Sequence, residues 1–266
     1  MILLGCLRAC VLATLHQLLD YVKTFMMDSK LVQAIAPGGI LRASINVGNP
    51  LLAKRDAQSG LPVGVSVDLA SAFALQLKVG IELMVFEKAA LSVQAVESAR
   101  ADLGFFALDP LRAKDIGFSA AYLLIEGCYM VRANSTVTDN SEIDQPGTRV
   151  TVGADSAYDL FLTRHLVHAK IERATNSQAV IQTFLDQGHE VAAGVKQQLL
   201  ADALNHNGLR LLPGRFMVIE QAAGLPRSRG APAIAALDEF VQRMKYSGFI
   251  AQALKRHQVE GATVAP

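Results

Sequence analysis

The stretch that decides the fold is residues 102–122, DLGFFALDPLRAKDIGFSAAY. Its first part predicts a short apolar strand over residues 103–108. Asp109 and Pro110 follow, and both are favoured residues at the start of a helical turn. Arg112 lies in that turn, where a guanidinium can direct its donors at a carboxylate in a neighbouring cleft. The alternative is that Arg112 lies on an exposed helix, and the spacing alone does not decide between the two.

The composition indicates an ordered globular protein without a surface suited to nucleic acid. Of its 266 residues, 51% are hydrophobic and 18% are charged, and the formal net charge is +1. A chain of this length can form one large domain or two moderate ones with a buried core. With no tryptophan and only 6% aromatic residues, few side chains are available to stack on bases. We therefore expect no nucleic-acid partner.

The cysteines and histidines predict neither a disulfide framework nor a metal site. The chain has an odd number of cysteines, Cys6, Cys10 and Cys128, and two of them lie in the apolar N-terminal stretch. His165 and His168 are three positions apart on a predicted helix, but no carboxylate or thiol partner is evident beside them. We expect no metal and no cofactor.

Residues 1–27 are apolar and helix-prone. A secretory signal needs basic residues first, then an unbroken apolar run and a small-residue cleavage site. Here Arg8 and His16 interrupt the run, which is also too broken to predict a membrane span. A start at Met26 or Met27 is an alternative, because helix-capping residues follow directly.

From residue 40 onward, predicted strands and helices alternate, which favours an α/β fold with mostly parallel strands. The predicted elements include strands at residues 40–47, 63–67, 123–131 and 216–222, and helices at residues 68–77 and 231–245. Ligands in such sheets bind at the carboxyl ends of the strands. Residues 48–50 and 107–109 both fall at such ends.

Five motifs in a fixed order carry a resemblance to a known family. They are GILRASINVG from Gly39, GVSVDLA from Gly64, DLGF with its later RAK and FSAAY from Asp102, GADS from Gly153, and KYSGFI from Lys245. In this order the chain resembles the family 3 bacterial extracellular solute-binding proteins, the polar amino-acid receptors of ABC importers. The resemblance implies a two-lobe, type 2 periplasmic-binding-protein fold. Each α/β lobe would be a mainly parallel sheet flanked by helices, and two crossing strands would join the lobes.

The resemblance also divides the chain. The N-terminal helical extension is expected at residues 1–36, lobe one at residues 37–126 and 221–266, and lobe two at residues 127–220. The crossing strands are expected near residues 125–127 and 219–221.

Carried over position by position, the resemblance implies a ligand site in the cleft between the lobes. Arg112 matches the arginine that binds the ligand's α-carboxylate, an arrangement among the stronger hydrogen-bonded pairs. Ser156 matches the residue whose hydroxyl and backbone N–H bind the same carboxylate at a helix N-terminus. Asn49 and Pro50 replace an aromatic residue that commonly stacks on the ligand. Asp109 stands where a threonine or serine is usual.

Three further ligand candidates are Tyr158, Glu126 and Gln221. Tyr158 follows Ser156 closely and can face the cleft. Glu126 and Gln221 lie on neighbouring crossing strands, where they can hydrogen-bond across the hinge instead of contacting the ligand. For each of the three, a purely structural role is an equal alternative.

Lys196 is the departure from the family pattern that says most about the ligand. It aligns with the acidic residue that pairs with the ligand's ammonium group, and a lysine there would repel a cation. Either the ligand lacks an α-amino group, or Asp109 or Glu126 takes over its recognition. The other interpretation is an alignment offset by one residue, with Lys196 a solvated residue at the start of a helix.

The predicted function is that of a substrate-binding protein of an ABC-type importer, closing on a small carboxylate-bearing solute, either an amino acid or an organic acid. We expect a monomer that is not an enzyme, with an anionic or zwitterionic solute and the transporter's membrane subunits as partners. One alternative is an enzyme like the cyclohexadienyl dehydratases, with Lys196 and Glu126 or Asp109 as general acid and base. Another is a free-standing sensory domain. The family resemblance implies the periplasm, but without a clear signal peptide the cytoplasm stays open.

Overall fold

The protein is described by a computed structural model that covers residues 28–266. Cys6, Cys10 and most of the predicted N-terminal extension lie outside the described residues. The helices are α1 (Ser29–Ile35), α2 (Val65–Leu77), α3 (Ala89–Glu97), α4 (Ala157–His165), α5 (Val180–Asp186), α6 (Lys196–Ala203), α7 (Ala231–Tyr246) and α8 (Phe249–Arg256). The strands are β1 (Ile40–Asn46), β2 (Lys54–Arg55), β3 (Pro62–Val63), β4 (Gly80–Phe86), β5 (Leu103–Ala107), β6 (Ile116–Arg132), β7 (Arg149–Gly153), β8 (Lys170–Ala174), β9 (Val191–Val195), β10 (Leu209–Leu211), β11 (Met217–Pro226) and β12 (Ala262–Val264).

Ten of these strands form one continuous sheet in the order β4-β1-β5-β11-β6-β9-β7-β8, with β10 and β12 also paired to β6. In lobe one β1 runs parallel to β4 and β5, and in lobe two β7 runs parallel to β8 and β9. The strands β6 and β11 are antiparallel to each other and cross from one lobe to the other. This arrangement confirms the predicted fold of two α/β lobes joined by two crossing strands.

The core forms because each layer turns an apolar face toward the sheet. All five residues of β5 are buried, which fits a central strand covered on both faces. Helix α2 buries Leu69, Phe73 and Leu77, which are spaced to lie on one face of a helix. The ring of Phe73 lies 4.8 Å from that of Phe240 on α7, so the two helices pack together over the sheet.

The structure corrects three predicted elements. Strand β6 begins at Ile116 rather than at residue 123, because Ile116 pairs with Pro226 and the small residues after it are held in the strand by β11. The predicted strand at residues 63–67 is wrong beyond Val63, since α2 begins at Val65 and not at Asp68. Gly64 permits this sharp entry, with φ at 139°.

The third correction is β12, a short strand near the chain's end that the sequence did not predict. It pairs antiparallel with residues 123–125 of β6, on the edge opposite β11. The Ala265 N–H donates to the Tyr122 carbonyl oxygen at 3.1 Å. The crossing region of β6 therefore has a strand on each side.

The crossing strands meet close to the predicted lobe boundaries. Gly127 pairs with Met217 and Ile125 with Ile219, while β6 continues beyond Gly127 into its pairing with β9. The boundaries at residues 126/127 and 220/221 stay a prediction. No helix within residues 28–266 combines the length and apolar character needed to cross a membrane.

Candidate functional site

A cleft with a cavity volume of about 210 Å³ lies between the two lobes. Lobe one contributes residues at the ends of β1 and β5, and lobe two those that follow β7, β8 and β9. Parallel strands present ligand sites at their carboxyl ends, so this position agrees with the general rule. Of the residues predicted to bind ligand, Arg112, Ser156, Asn49, Tyr158 and Gln221 line the cleft.

Arg112 is a buried cation in the cleft, with only 7% of its surface exposed. It begins a short 3₁₀ turn (Arg112–Lys114) that Asp109 initiates, because the Asp109 side chain accepts from the Leu111 N–H at 2.8 Å. The guanidinium donates to the carbonyl oxygens of Ala107, at 3.3 Å, and Asp155, at 3.0 Å. The Asp155 contact joins the two lobes.

No carboxylate within residues 28–266 forms an ion pair with Arg112. Burial lowers the pKa of its guanidinium, against the attraction of Asp109, Glu97 and Asp155. An arginine keeps its charge at neutral pH. A buried charge is normally paired, so the cleft offers this cation to an anion that enters it.

Ser156 lies opposite Arg112, at the N-terminus of α4. Its hydroxyl oxygen accepts from the Asp159 N–H at 3.1 Å, and the hydroxyl keeps its own proton to donate. Its backbone N–H already donates to the Gly153 carbonyl oxygen at 3.1 Å. Only the hydroxyl is therefore available to a ligand in this arrangement.

Tyr158 is buried beside Ser156. Its hydroxyl donates to Ser177 Oγ at 2.9 Å, and burial raises the pKa of the phenol. This bond ties α4 to the turn after β8 and shapes the lobe-two wall of the cleft.

Gln221 is the most deeply buried amide of the cleft, with 4% of its surface exposed. It lies on β11 opposite Ala107, next to a register shift in the pairing with β6. Its side-chain oxygen Oε1 is buried and has no hydrogen-bond partner in the described part of the chain. A buried acceptor without a partner is unfavourable unless a bound molecule satisfies it.

Asn49 lies at the lobe-one rim of the cleft. Its Oδ1 accepts from the Leu51 N–H at 3.3 Å, and its carbonyl oxygen accepts from the Leu52 and Ala53 N–H groups. These bonds fix the turn that brings Asn49 and Pro50 to the cleft, as the strand-end rule predicted.

Several polar cleft residues were not identified from the sequence: Asn46, Thr175, Asn176, Ser177 and Gln198. The same strand-end rule could have found most of them. Asn46 ends β1, and residues 175–177 directly follow β8.

Asp109, Glu126 and Lys196 do not line this cleft. Asp109 pairs at 2.8 Å with Arg164 of α4, an ion pair between the lobes, and borders a separate cavity of about 290 Å³. Glu126 accepts from Lys196 at 2.8 Å and from Arg215 at 2.9 Å. These bonds lower the pKa of Glu126, and Glu126 raises the pKa of Lys196.

The residue that reaches the cleft in place of Lys196 is Val195, the last residue of β9. Two acidic residues line the cleft, Glu87 and Asp155, and both are exposed. Glu87 is paired with Arg55 at 3.0 Å. Lys88 also lines the cleft and is exposed. The cleft therefore combines the buried Arg112 with three exposed charged residues and otherwise uncharged polar groups.

No cluster of three or more His, Cys, Asp or Glu side chains suited to a metal ion occurs within residues 28–266. Cys128 is buried, and its thiol donates to the Gly214 carbonyl oxygen.

Comparison with known families gives one match, to the bacterial extracellular solute-binding proteins, family 3, over residues 42–260. Comparison with curated protein sequences gives no match.

Several solved structures share the fold. One is a solute receptor for L-cysteine of Neisseria gonorrhoeae, 20% identical, with a TM-score of 0.73 over 86% of this chain and 94% of the receptor. An amino-acid ABC transporter substrate-binding protein of Streptococcus pneumoniae bound to L-arginine is 18% identical, with a TM-score of 0.71 over 85% and 97%. The ancestral amino-acid-binding protein AncCDT-1, a precursor of cyclohexadienyl dehydratase, is 17% identical, with a TM-score of 0.69 over 85% and 98%.

Proposed function

The chain belongs to the bacterial extracellular solute-binding proteins, family 3, and from that premise we propose that it binds a small carboxylate-bearing solute between its lobes. Arg112 carries the proposal. It is a buried guanidinium that faces the cleft, and in residues 28–266 only carbonyl oxygens accept from it. A carboxylate would accept two parallel bonds from the same group and neutralise its charge.

The other cleft residues supply the remaining polar contacts of this proposal. Ser156 donates its hydroxyl to the carboxylate from the opposite lobe. Gln221 accepts from a donor on the ligand, and Asn49 and Tyr158 shape the two walls. Asp109 acts outside the cleft through its pair with Arg164 on the other lobe, which favours the closed arrangement.

The proposed role is delivery of the solute to the membrane subunits of an ABC importer, outside the cytoplasm, where the family acts. The Streptococcus protein is such a transporter component. One similar protein is a receptor for L-cysteine and another is bound to L-arginine, so amino acids are one class to test, and organic acids are the other.

The enzymatic alternative required Lys196 with Glu126 or Asp109 as an acid–base pair at the ligand. Lys196 and Glu126 are paired with each other outside the cleft, and Asp109 is paired with Arg164. No observation in the described residues favours elimination chemistry over binding.

Isothermal calorimetry with a panel of amino acids and small organic acids tests the proposal. We expect saturable, one-to-one binding to at least one carboxylate, with affinity falling about 100-fold in Arg112→Gln, since a bond to a charged group contributes about 1.5–3 kcal/mol. Arg243→Gln is the matched control, because the exposed Arg243 side chain donates to Gln76, away from the cleft. Undiminished binding in Arg112→Gln would exclude this site.

A further inference from the structure

We propose that Gln221 selects solutes carrying an uncharged hydrogen-bond donor beside the carboxylate, so that 2-hydroxy acids bind more tightly than the matching 2-amino acids. This inference rests on the proposed function and names the class of ligand. Three observations support it: the unpaired amide oxygen, the pairing of Gln221 with Ala107, whose carbonyl oxygen accepts from Arg112, and the charges around the cleft.

The amide oxygen of Gln221 needs a donor. The side chain is 96% buried, lines the cleft, and its Oε1 has no partner among residues 28–266. Gln221 lies on β11 between β5 and β6, and its side chain lines the cleft. The cleft is therefore the side from which a donor can come.

The position of Gln221 relative to Arg112 sets where on the ligand that donor must be. Gln221 pairs directly with Ala107, and Arg112 donates to the Ala107 carbonyl oxygen. Residues directly opposite in neighbouring strands lie about 5 Å apart. A carboxylate bound by Arg112 thus brings the substituent on its adjacent carbon, rather than a distant group, toward the Gln221 amide.

The surrounding charges decide between a hydroxyl and an ammonium group. An ammonium that leaves water needs a nearby negative charge, whereas a hydroxyl needs only an acceptor. Of the acidic cleft residues, Glu87 is paired with Arg55, and Asp155 is exposed beside the positive charges of Arg112 and Arg173. Gln221 itself is neutral.

The candidates for an alternative negative charge are also engaged elsewhere. Asp109 is paired with Arg164, and Glu126 is held by Lys196 and Arg215. Val195, the apolar last residue of β9, lies in the cleft wall. The cleft thus accepts a neutral donor more readily than a cation.

The test is a calorimetric series on the whole protein with acids that share one carbon skeleton and differ only at carbon 2. Lactate, alanine, propionate and pyruvate form the three-carbon series. 2-Hydroxyisocaproate, leucine, 4-methylpentanoate and 2-ketoisocaproate form a larger one. We expect the hydroxy acid to bind about tenfold more tightly than its amino, unsubstituted and keto counterparts, because only it satisfies the buried oxygen without adding a charge.

The variant Gln221→Glu should reverse the order, with the amino acid tighter than the hydroxy acid, since the new carboxylate supplies a counter-charge. The matched control is Gln252→Glu, at an exposed position of α8, which should keep the wild-type order. Should Gln221→Glu fail to fold, the wild-type series decides alone.

Three results would overturn the inference, and they separate it from the proposed function. If propionate binds as tightly as lactate, or alanine binds more tightly, Gln221 does not select hydroxy acids. The proposal that the cleft binds a carboxylate would be unaffected. Tighter binding of pyruvate would mean that the amide presents its NH₂ group to the cleft. If no carboxylate binds and Arg112→Gln changes nothing, the proposed function fails with it.

Discussion

At the scale of single residues, Arg112 is the buried cation on which the proposed ligand site depends. Spacing placed it in a turn after a buried strand, but an exposed guanidinium was an equal alternative. The structure buries it because Asp109 starts the turn and the Asp155 carbonyl oxygen from the other lobe covers the guanidinium. That second contact joins positions 43 apart in sequence, beyond the reach of local spacing.

Lys196 shows how much one position matters. Strand β9 ends at Val195, and α6 begins at Lys196. Val195 lines the cleft, whereas the Lys196 side chain pairs with Glu126 outside it. Two adjacent residues therefore differ in whether they reach the cleft, and local spacing does not decide which of them does.

Asp102, the first residue of the decisive stretch, carries a stability prediction. Its carboxylate is fully buried and bonds Arg42 Nε at 2.9 Å and Arg229 Nη2 at 2.6 Å. Asp102→Asn leaves two guanidinium groups without their anion, and we expect the free energy of unfolding in urea to fall by about 3 kcal/mol.

The control for this prediction is Asp115→Asn, a change on an exposed residue of the same stretch, which should alter stability by no more than about 0.5 kcal/mol. Ligand affinity should survive in Asp102→Asn, because Asp102 precedes β5 and the cleft lies at the far end of that strand. A loss of under about 1 kcal/mol would show that Asp102 matters less than its burial indicates.

At the scale of elements, most helices and strands followed from apolar periodicity and capping residues. Two of the three corrections, β6 and β12, share a cause. The first half of β6 is rich in small residues, and β12 has three residues, so neither has a strong pattern of its own. Both are strands because β11 and β6 supply hydrogen-bond partners from distant parts of the chain.

The segment before β8 carries a prediction on pH. The Asp144 carboxylate accepts from the N–H groups of Val167, His168 and Ala169, and these bonds lower its pKa. A carboxylate whose pKa is lowered in the folded state stabilises the protein at pH values above its ordinary pKa of about 3.9. That stability is lost as the pH falls through the lowered pKa.

Urea unfolding between pH 7 and pH 3 measures this effect. Asp144→Asn should be less stable than wild type at pH 7, and its stability should fall less on acidification. In Asp186→Asn the parent carboxylate is exposed and accepts one side-chain bond within residues 28–266, from Gln182, so this variant should follow the wild-type curve. Parallel curves for Asp144→Asn and wild type across the whole range would contradict the assignment.

At the scale of the whole molecule, the order of the strands in the sheet could be predicted only from the family resemblance. Periodicity predicts strands but not that β11 inserts between β5 and β6. That insertion joins the two lobes and creates the cleft between them. Contacts such as the ion pair of Asp109 with Arg164 also join the two lobes.

If this ion pair favours closure of the lobes, its removal should weaken ligand binding. Asp109→Asn keeps an acceptor for the Leu111 N–H but removes the charge that attracts Arg164. We expect ligand affinity to fall about fivefold, in line with about 1 kcal/mol for a partly exposed pair. Small-angle scattering of the ligand-free variant should give a larger radius of gyration than wild type.

A double-mutant cycle with Arg164→Gln supplies the control. Each single change should weaken binding, and the double variant should be no weaker than either alone, because the same interaction is lost. Additive losses would mean that the two residues act on closure independently.

The most direct test of the central claim is a crystal structure of the protein with the tightest carboxylate from the calorimetric panel. The account predicts one ligand between the lobes, with both carboxylate oxygens within about 3 Å of the Arg112 guanidinium, the usual hydrogen-bond distance. Its carbon-2 substituent should face Gln221. A carboxylate bound elsewhere, with Arg112 still held only by Ala107 and Asp155, would contradict it.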